Sequence, residues 1–325
     1  MSEISLATAP DRTAVCCLSS VNLTYWDEWK DDPLFLRDVL EMLDNVVQHF
    51  IDNAPDTIKR AKYSAMRERS VGVGALGYHA LLQSKEIPFE SLGAKMLNEK
   101  IFKHIKTELS KANKELAEER GACPDAAEFG VMERCAHLMA VAPNATSSII
   151  MGNTSPSIEP YAANAYRQDT ASGAYLNKNK YLDKYVLEEA KKQKDGWYQE
   201  QWSKIVADNG SVQNLDWLPK HLKDVFKTAS EIDQRWVVEK TCDRQKYVCQ
   251  AISTNLSFRP DVSIKYLHAV HFAAWKGGAK SLYYCRSDKL KKADAVGSKV
   301  ERKRIEDEIN LQAIVDNGGC VACEG

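Results

Sequence analysis

The sequence predicts an α/β fold with parallel strands. Three observations point there. Short apolar runs rich in β-branched residues read as buried strands. Long stretches with apolar residues at helical spacing lie between them. Glycines sit where strand gives way to helix, and strands alternating with helices pack as a parallel sheet covered by helices.

Taken in order, Ser2-Glu3-Ile4-Ser5-Leu6 alternates as the edge of a strand does. Ala14-Val15-Cys16-Cys17-Leu18-Ser19-Ser20-Val21-Asn22-Leu23 reads as a buried strand, with its two thiols on opposite faces. Asp32-Pro33 reads as a helix start, a capping aspartate and then proline at the first helical position. Leu36, Val39, Leu40, Leu43, Val47 and Phe50 follow at helical spacing, and Pro55 lies beyond the end. Residues 58–68 read as helix. Ser91 caps a long amphipathic helix carrying Leu92, Met96, Ile101, Phe102, Ile105, Leu109 and Leu116, and Gly121 stops it. Residues 138–141 read as a short buried strand feeding Pro143-Asn144-Ala145-Thr146-Ser147-Ser148. From Gly173 the composition shifts toward Lys, Gln and Trp, and helices dominate from 218 to 240. Residues 266–275 read as helix, Gly277-Gly278 ends it, and 279–284 reads as a strand. The charged stretch beyond Arg286 and the glycine-flanked terminus read as a mobile tail.

Composition narrows the function classes. A chain of 325 residues, 44% hydrophobic, can bury a sizeable core and suggests two domains. A net charge of -1 gives no electrostatic case for nucleic acid or an anionic membrane. No apolar run reaches the roughly 18 residues needed to span a bilayer, and the first residues lack a basic region followed by an apolar one. A soluble, cytoplasmic protein is therefore expected. Nine cysteines scattered through the chain do not form a secreted disulfide framework.

Several stretches could carry chemistry. Val71-Gly72-Val73-Gly74-Ala75-Leu76-Gly77 contains the Gly-x-Gly-x-x-Gly spacing of dinucleotide sites. That motif needs a strand before it, and here the preceding segment reads as helix. Close backbone packing explains the glycines as well. An NAD-binding oxidoreductase using residues 72–77 stays as one alternative. A non-catalytic subunit that binds nucleotide or scaffolds a partner is the other. The loop of Asn144, Ala145, Thr146, Ser147 and Ser148 offers hydroxyls and free amides that suit a phosphate, although Ser/Thr residues there also read as a plain helix cap. Tyr283-Tyr284 alone reads as amphipathic packing. Cys320-Val321-Ala322-Cys323 has no second pair of ligands for zinc. A dithiol on a flexible arm can instead exchange with a disulfide elsewhere.

Together these stretches resemble the large, catalytic subunit of class I ribonucleotide reductase. The resemblance rests on Ala-x-Cys-x-Leu-Ser at Cys16, Arg-Ser-x-Gly-x-Gly at Arg69, and Asn153-Thr154-Ser155-Pro156-Ser157-Ile158-Glu159-Pro160. It continues through the runs at 243–250 and 253–256, Lys280-Ser281-Leu282-Tyr283-Tyr284 and the terminal Cys-x-x-Cys. It begins part-way through that subunit and runs to its end.

The resemblance implies a fold and a set of roles. Residues 1–172 would form the second half of a ten-stranded α/β barrel, five parallel strands with helices. Residues 173–287 would form a mainly helical region ending in the Tyr-Tyr strand, and 288–325 the tail. Cys16 would be a redox-active cysteine and Glu3 the general base at the substrate 3′-hydroxyl. The 144–148 loop would cradle the diphosphate of a ribonucleoside diphosphate. Tyr283 and Tyr284 would relay a radical, and Cys320 and Cys323 would re-reduce the site with thioredoxin or glutaredoxin. Cys17 would serve packing, and the cysteines at 123, 135, 242, 249 and 285 match no catalytic position of the family. The chain itself would bind no metal or other cofactor. A small subunit would supply the radical from a di-iron tyrosyl site. The N-terminal half of the large subunit would be a separate partner chain from a split gene, as in phage genomes, acting in the host cytoplasm. Met1 would then stand at the radical cysteine's position.

Overall fold

A computed structural model describes residues 2–170 and 173–287. Met1, Cys320 and Cys323 lie outside the described residues, so the expectations placed on them are not addressed by it.

The thiol run forms β1 (Cys17–Asn22), followed by the short α1 (Trp26–Trp29) and by α2 (Phe35–Asn53). α2 starts later than Asp32-Pro33 suggests. Asp32 Oδ1 accepts from the Leu34 N–H at 2.9 Å, which closes a turn ahead of the helix instead of capping it. α3 (Lys59–Glu68) leads into β2 (Val71–Leu76), which pairs with β1 in parallel. Leu18 stands opposite Gly72 and Ser20 opposite Gly74. Gly77, at φ +82°, then turns the chain into α4 (Tyr78–Ser84).

α5 (Leu92–Arg120) has the ends its local chemistry dictates. Ser91 Oγ accepts from the Ala94 N–H at 3.1 Å, and Gly121 takes a positive φ just beyond the last turn. Its Ile101, Phe102, Ile105, Leu109 and Leu116 are fully buried, each contributing about 1.5–3 kcal/mol. Leu92 and Met96, expected on that face, are each 65% exposed. α6 (Pro124–Glu128) follows, with proline in its first turn. Asp44 on α2 is buried among three guanidinium groups. It accepts from Arg69 Nε at 2.7 Å, Arg120 at 3.0 Å and Arg134 Nε at 3.1 Å, and so ties α2 to the start of β2 and the end of α5.

The parallel sheet reaches beyond its two regular strands. Val71 and Val73 donate to His137 O and Leu138 O at 3.0 and 2.8 Å. Gln250 and Ser253 donate to Met139 O and Val141 O at 3.1 and 3.0 Å, and Val141 and Ile252 form a parallel bridge. Ala251 donates to Glu3 O at 2.9 Å. The staves at 138–141 and 2–6 are thus extended and hydrogen-bonded, but not the regular strands expected. The first residues join the sheet at Glu3 through a backbone bond and side-chain bonds, which is too little to form a ladder.

After α7 (Ser147–Ile150), β3 (Ala165–Thr170) and β4 (Gly173–Lys178) form an antiparallel hairpin. α8 (Lys180–Ala190), capped by Asn179, then α9 (Trp197–Ala207) and α10 (Lys220–Val225) pack with it around Trp202, Ile205 and Phe226. α11 (Gln234–Gln245) and α12 (Ile264–Lys276) flank β5 (Leu256–Phe258), which pairs in parallel with β6 (Cys285–Ser287). The strand expected at 279–284 therefore starts later, at Cys285, and the tyrosine pair precedes it.

Candidate active site

On β1 the side chains alternate, so Cys16, Leu18 and Ser20 share one face while Cys17 packs into the core on the other. The neighbouring strand presents glycines to that first face. A Cβ on Gly72 would lie 2.3 Å from Leu18 Cδ2, 2.9 Å from Ala140 Cβ and 3.2 Å from Cys16 Sγ. A Cβ on Gly74 would lie 2.7 Å from Ala140 O and 3.1 Å from Ser20 Oγ. These glycines lie inside a paired strand, and the helix α3 precedes it. The segment therefore lacks the strand–loop–helix phosphate turn of a dinucleotide site, and close packing accounts for its glycines.

The Cys16 thiol accepts from Gln250 Nε2 at 3.2 Å, and the same nitrogen donates to Val71 O at 3.1 Å. Gln250 is fully buried, and its Oε1 accepts from the Ser5 N–H at 3.4 Å. Burial pushes the Cys16 thiol up to about 12, against the lowering effect of the Gln250 bond. The electrostatic influence of Cys17, Cys249 and Glu3 acts in the same direction as burial. At neutral pH Cys16 is therefore a protonated thiol, suited to giving a proton rather than to attacking as a thiolate.

Glu3 is not a frayed terminal residue. It is 0% exposed, and Ser253 Oγ donates to its Oε2 while Ser253 also accepts from the Ser2 N–H at 2.9 Å. Glu3 Oε1 is buried and has no hydrogen-bond partner among the described residues. Glu3 and Cys16 are thus gathered onto one short segment, Cys16 through Gln250 and Glu3 through Ser253. The sequence marked that segment only as part of a resemblance. Neither side chain was given a role, since nothing local in 250–253 reveals a contact made across 234 residues.

The 144–148 loop sits at the C-terminal ends of β1 and β2, where open parallel sheets bind ligands. Asn144, at φ +54°, donates through Nδ2 to Ser20 Oγ at 3.0 Å and Ala142 O at 3.1 Å. Ser148 is buried and donates to Ala145 O, whereas Ala145 and Thr146 are exposed. Ser147 Oγ donates to Asn144 Oδ1 at 3.3 Å. The amides of Ala145, Thr146 and Ser147 have no acceptor among the described residues. From Cys16 to Ser20 the strand runs about 13 Å, at ~3.3 Å per residue. One end of this face therefore carries a thiol, and the other a loop of open amides.

Tyr283 and Tyr284 are bonded to the residues that follow Ser253. Their ring centroids are 4.0 Å apart with the planes inclined by 43°. Tyr283 donates its N–H to Thr254 O at 2.9 Å, while Leu256 donates to Tyr284 O at 2.8 Å. The other cysteines are placed variously: Cys123 and Cys135 are buried, Cys242 and Cys249 are half-buried, and Cys285 is exposed. Cys249 Sγ accepts from the N–H groups of Leu138 and Met139, both at 3.2 Å. Among the described residues, no group of three or more His, Cys, Asp or Glu is placed to hold a metal, and no helix is long and apolar enough to cross a membrane.

Comparison with known proteins adds the family. The family model described as "Ribonucleotide reductase, barrel domain" matches residues 2–129 and 125–285. The ribonucleoside-diphosphate reductase large subunit of Invertebrate iridescent virus 6 is 53% identical over 91% of this chain, which covers 31% of that protein. The corresponding protein of Invertebrate iridescent virus 3 is 51% identical over 91% of this chain and is covered to 46%. The chain thus spans between about a third and about half the length of these relatives. Among solved structures, the Actinobacillus ureae class Id ribonucleotide reductase alpha subunit superposes with a TM-score of 0.81 at 36% identity, over 89% of this chain and 52% of its own. With a parallel sheet carrying the matched thiol strand, and with family and structure agreeing over nearly all described residues, this chain belongs to the ribonucleotide reductase large-subunit family through its barrel domain.

Proposed function

We propose that this chain supplies part of the catalytic site of a ribonucleoside-diphosphate reductase. It would act with the part of the large subunit that lies outside its match, and with a radical-generating small subunit. The observation that carries the reading is the joint placement of Cys16 and Glu3. A protonated thiol, on a face cleared by two glycines, and a carboxylate with one unpartnered oxygen are both held by one short segment, through Gln250 and Ser253.

In this reading the ribonucleoside diphosphate lies along β1, its diphosphate on the open amides of Ala145, Thr146 and Ser147 and the Thr146 hydroxyl, with Asn144 holding the loop to Ser20 and Ser148 closing its turn. A thiyl radical from the rest of the large subunit removes the 3′-hydrogen. Glu3 Oε1 takes the 3′-hydroxyl proton as general base. Cys16 and a second thiol protonate the leaving 2′-hydroxyl, which departs as water, and supply the two reducing equivalents. They end as a disulfide, and the 3′-hydrogen returns from the regenerated thiol. Cys320 and Cys323 would then reduce that disulfide by exchange and be restored by a thioredoxin or glutaredoxin. Tyr283 and Tyr284 carry the radical inward from the small subunit, which supplies the metal site that generates it. α12 packs on β5 and leaves Ile264, Phe272 and Trp275 exposed, an apolar face on which that subunit can dock. The soluble substrate and reductants fit a cytoplasmic location.

The test is turnover of the assembled complex with the natural chain and with Cys16→Ser and Glu3→Gln. The reading expects deoxyribonucleotide from the parent, none above background from Cys16→Ser, and a large fall in kcat for Glu3→Gln with assembly unchanged. Full activity of Cys16→Ser, or tight NAD binding by this chain, would overturn it.

A further inference from the structure

The tyrosine pair occupies a β-bulge. In a regular parallel ladder, one residue both donates its N–H and accepts at its C=O across the position facing Asn255. Here Tyr283 supplies the N–H, to Thr254 O at 2.9 Å, and Tyr284 supplies the C=O, to the Leu256 N–H at 2.8 Å. Two residues therefore stand opposite one, and the N–H of Tyr284 has lost its ladder partner. A regular strand would send adjacent rings to opposite faces. At this bulge they lie 4.0 Å apart.

The displaced N–H is taken by a side chain. Asn255 Oδ1 accepts from Tyr284 N–H at 3.1 Å, and Asn255 Nδ2 donates to Glu159 Oε2 at 3.1 Å. Asn255 is buried, so its amide is fixed at both ends. Glu159 comes from the run that precedes Pro160, far from the tyrosines in sequence. Its Oε1 is buried with no partner among the described residues, and burial holds its carboxyl up near 7. A buried carboxyl that is hydrogen-bonded to Asn255 costs desolvation, and the bond orients that one amide.

We infer that Asn255, oriented by Glu159, is the positioning residue that maintains the bulge and keeps the rings of Tyr283 and Tyr284 in contact for radical transfer. The inference rests on the proposed relay for its functional half, while its structural half stands on the hydrogen bonds alone. Removing the Oδ1 acceptor leaves the Tyr284 N–H without a partner. Returning to a regular ladder gives that N–H a partner again, and it parts the rings. Transfer between the rings depends on their contact, and a misplacement of about 1 Å in a reacting pair costs on the order of 100-fold in rate.

The experiment uses the assembled enzyme with fluorotyrosine placed at 283, and reads fluorine NMR alongside kcat and KM. The parent gives a resonance displaced by the neighbouring ring. Asn255→Leu should lose that displacement and on the order of 100-fold in kcat, with KM and the far-ultraviolet circular dichroism unchanged. Glu159→Gln keeps an acceptor for the Asn255 amide and should keep the displaced resonance, whereas Glu159→Leu should lose it. An unchanged resonance in Asn255→Leu overturns the inference, as does a lost resonance with parental kcat. Tyr284→Phe is assayed separately: its normal turnover would strike the relay reading, and the resonance would still report whether Asn255 holds the rings in contact.

Discussion

Replacing the two glycines of β2 by alanine should separate a packing role from a role at the thiol. At Gly74 a new Cβ would sit 2.7 Å from Ala140 O and 3.3 Å from Val141 Cα, both backbone atoms. That backbone cannot retreat easily, because it is bonded on both sides, by Val73 N–H to Leu138 O and by Val141 N–H to Ala251 O. Overpacking of this kind costs about 1–3 kcal/mol, and a rigid neighbour places Gly74→Ala at the upper end. Loss of glycine's freedom in the unfolded chain returns only about 0.4–1 kcal/mol. A net destabilisation of roughly 1–2.5 kcal/mol follows. At Gly72 the nearest atom, 2.3 Å away, is the tip of Leu18, which can rotate, but Ala140 Cβ at 2.9 Å belongs to the same bonded stretch, and Cys16 Sγ is 3.2 Å away. Gly72→Ala should therefore also destabilise, and in addition displace the thiol, with a fall in turnover out of proportion to its stability. Urea unfolding of the complete chain gives the first quantity and turnover in the complex gives the second. A Gly74→Ala chain as stable as the parent would refute the close approach on which this argument rests.

Three further outcomes are expected. Asp44→Ala leaves three guanidinium groups without their shared carboxylate and should destabilise by about 3–5 kcal/mol in urea unfolding; a change below 1 kcal/mol would mean the cluster is not buried as described. Lys240 is buried between the faces of Phe89 and Trp236 with no hydrogen-bond partner among the described residues, and burial lowers it from 10.5 to about 7. Between those values the unfolded chain binds more protons than the folded one, so stability rises with pH across about 7 to 10.5. Lys240→Met should flatten that slope and add on the order of 2–4 kcal/mol at neutral pH; an unaltered slope would contradict the lowered value. Finally, Cys320→Ser with Cys323→Ser should stop repeated turnover with thioredoxin while dithiothreitol restores it, and equal loss with both reductants would point to a structural role.

Features set by neighbouring residues were legible in the sequence. Ser91 and Gly121 bound α5 where their local capping chemistry places them, and the helix before Gly72 argued correctly against a dinucleotide turn. Elsewhere partners distant in the chain decided the outcome. Leu92 and Met96 are apolar residues of α5, yet they lie on the side of the helix away from the stripe that buries Ala94, Ile101 and Ile105. The β3–β4 hairpin lies where only a compositional shift was read, in a stretch with little alternation to mark strands. Tyr283 and Tyr284 read as part of a strand because the bulge depends on Asn255 and Glu159, which no local pattern connects to them. Glu3 shows the same principle at the candidate site. Nothing in its neighbours marks it as buried, and its burial comes with the bonds to Ser253 and the Ala251 amide, the first of them 250 residues away.

The most direct measurement is the redox state of Cys16 after one turnover. The assembled enzyme is pre-reduced, freed of external reductant, given ribonucleoside diphosphate, quenched with a thiol-blocking reagent and mapped by mass spectrometry. The Cys320→Ser, Cys323→Ser variant is used so that the tail cannot carry the oxidation away. The account predicts one disulfide containing Cys16 for each deoxyribonucleotide formed, with Cys17 still blocked as a free thiol. Deoxyribonucleotide formed in stoichiometric yield while Cys16 remains a free thiol would contradict it.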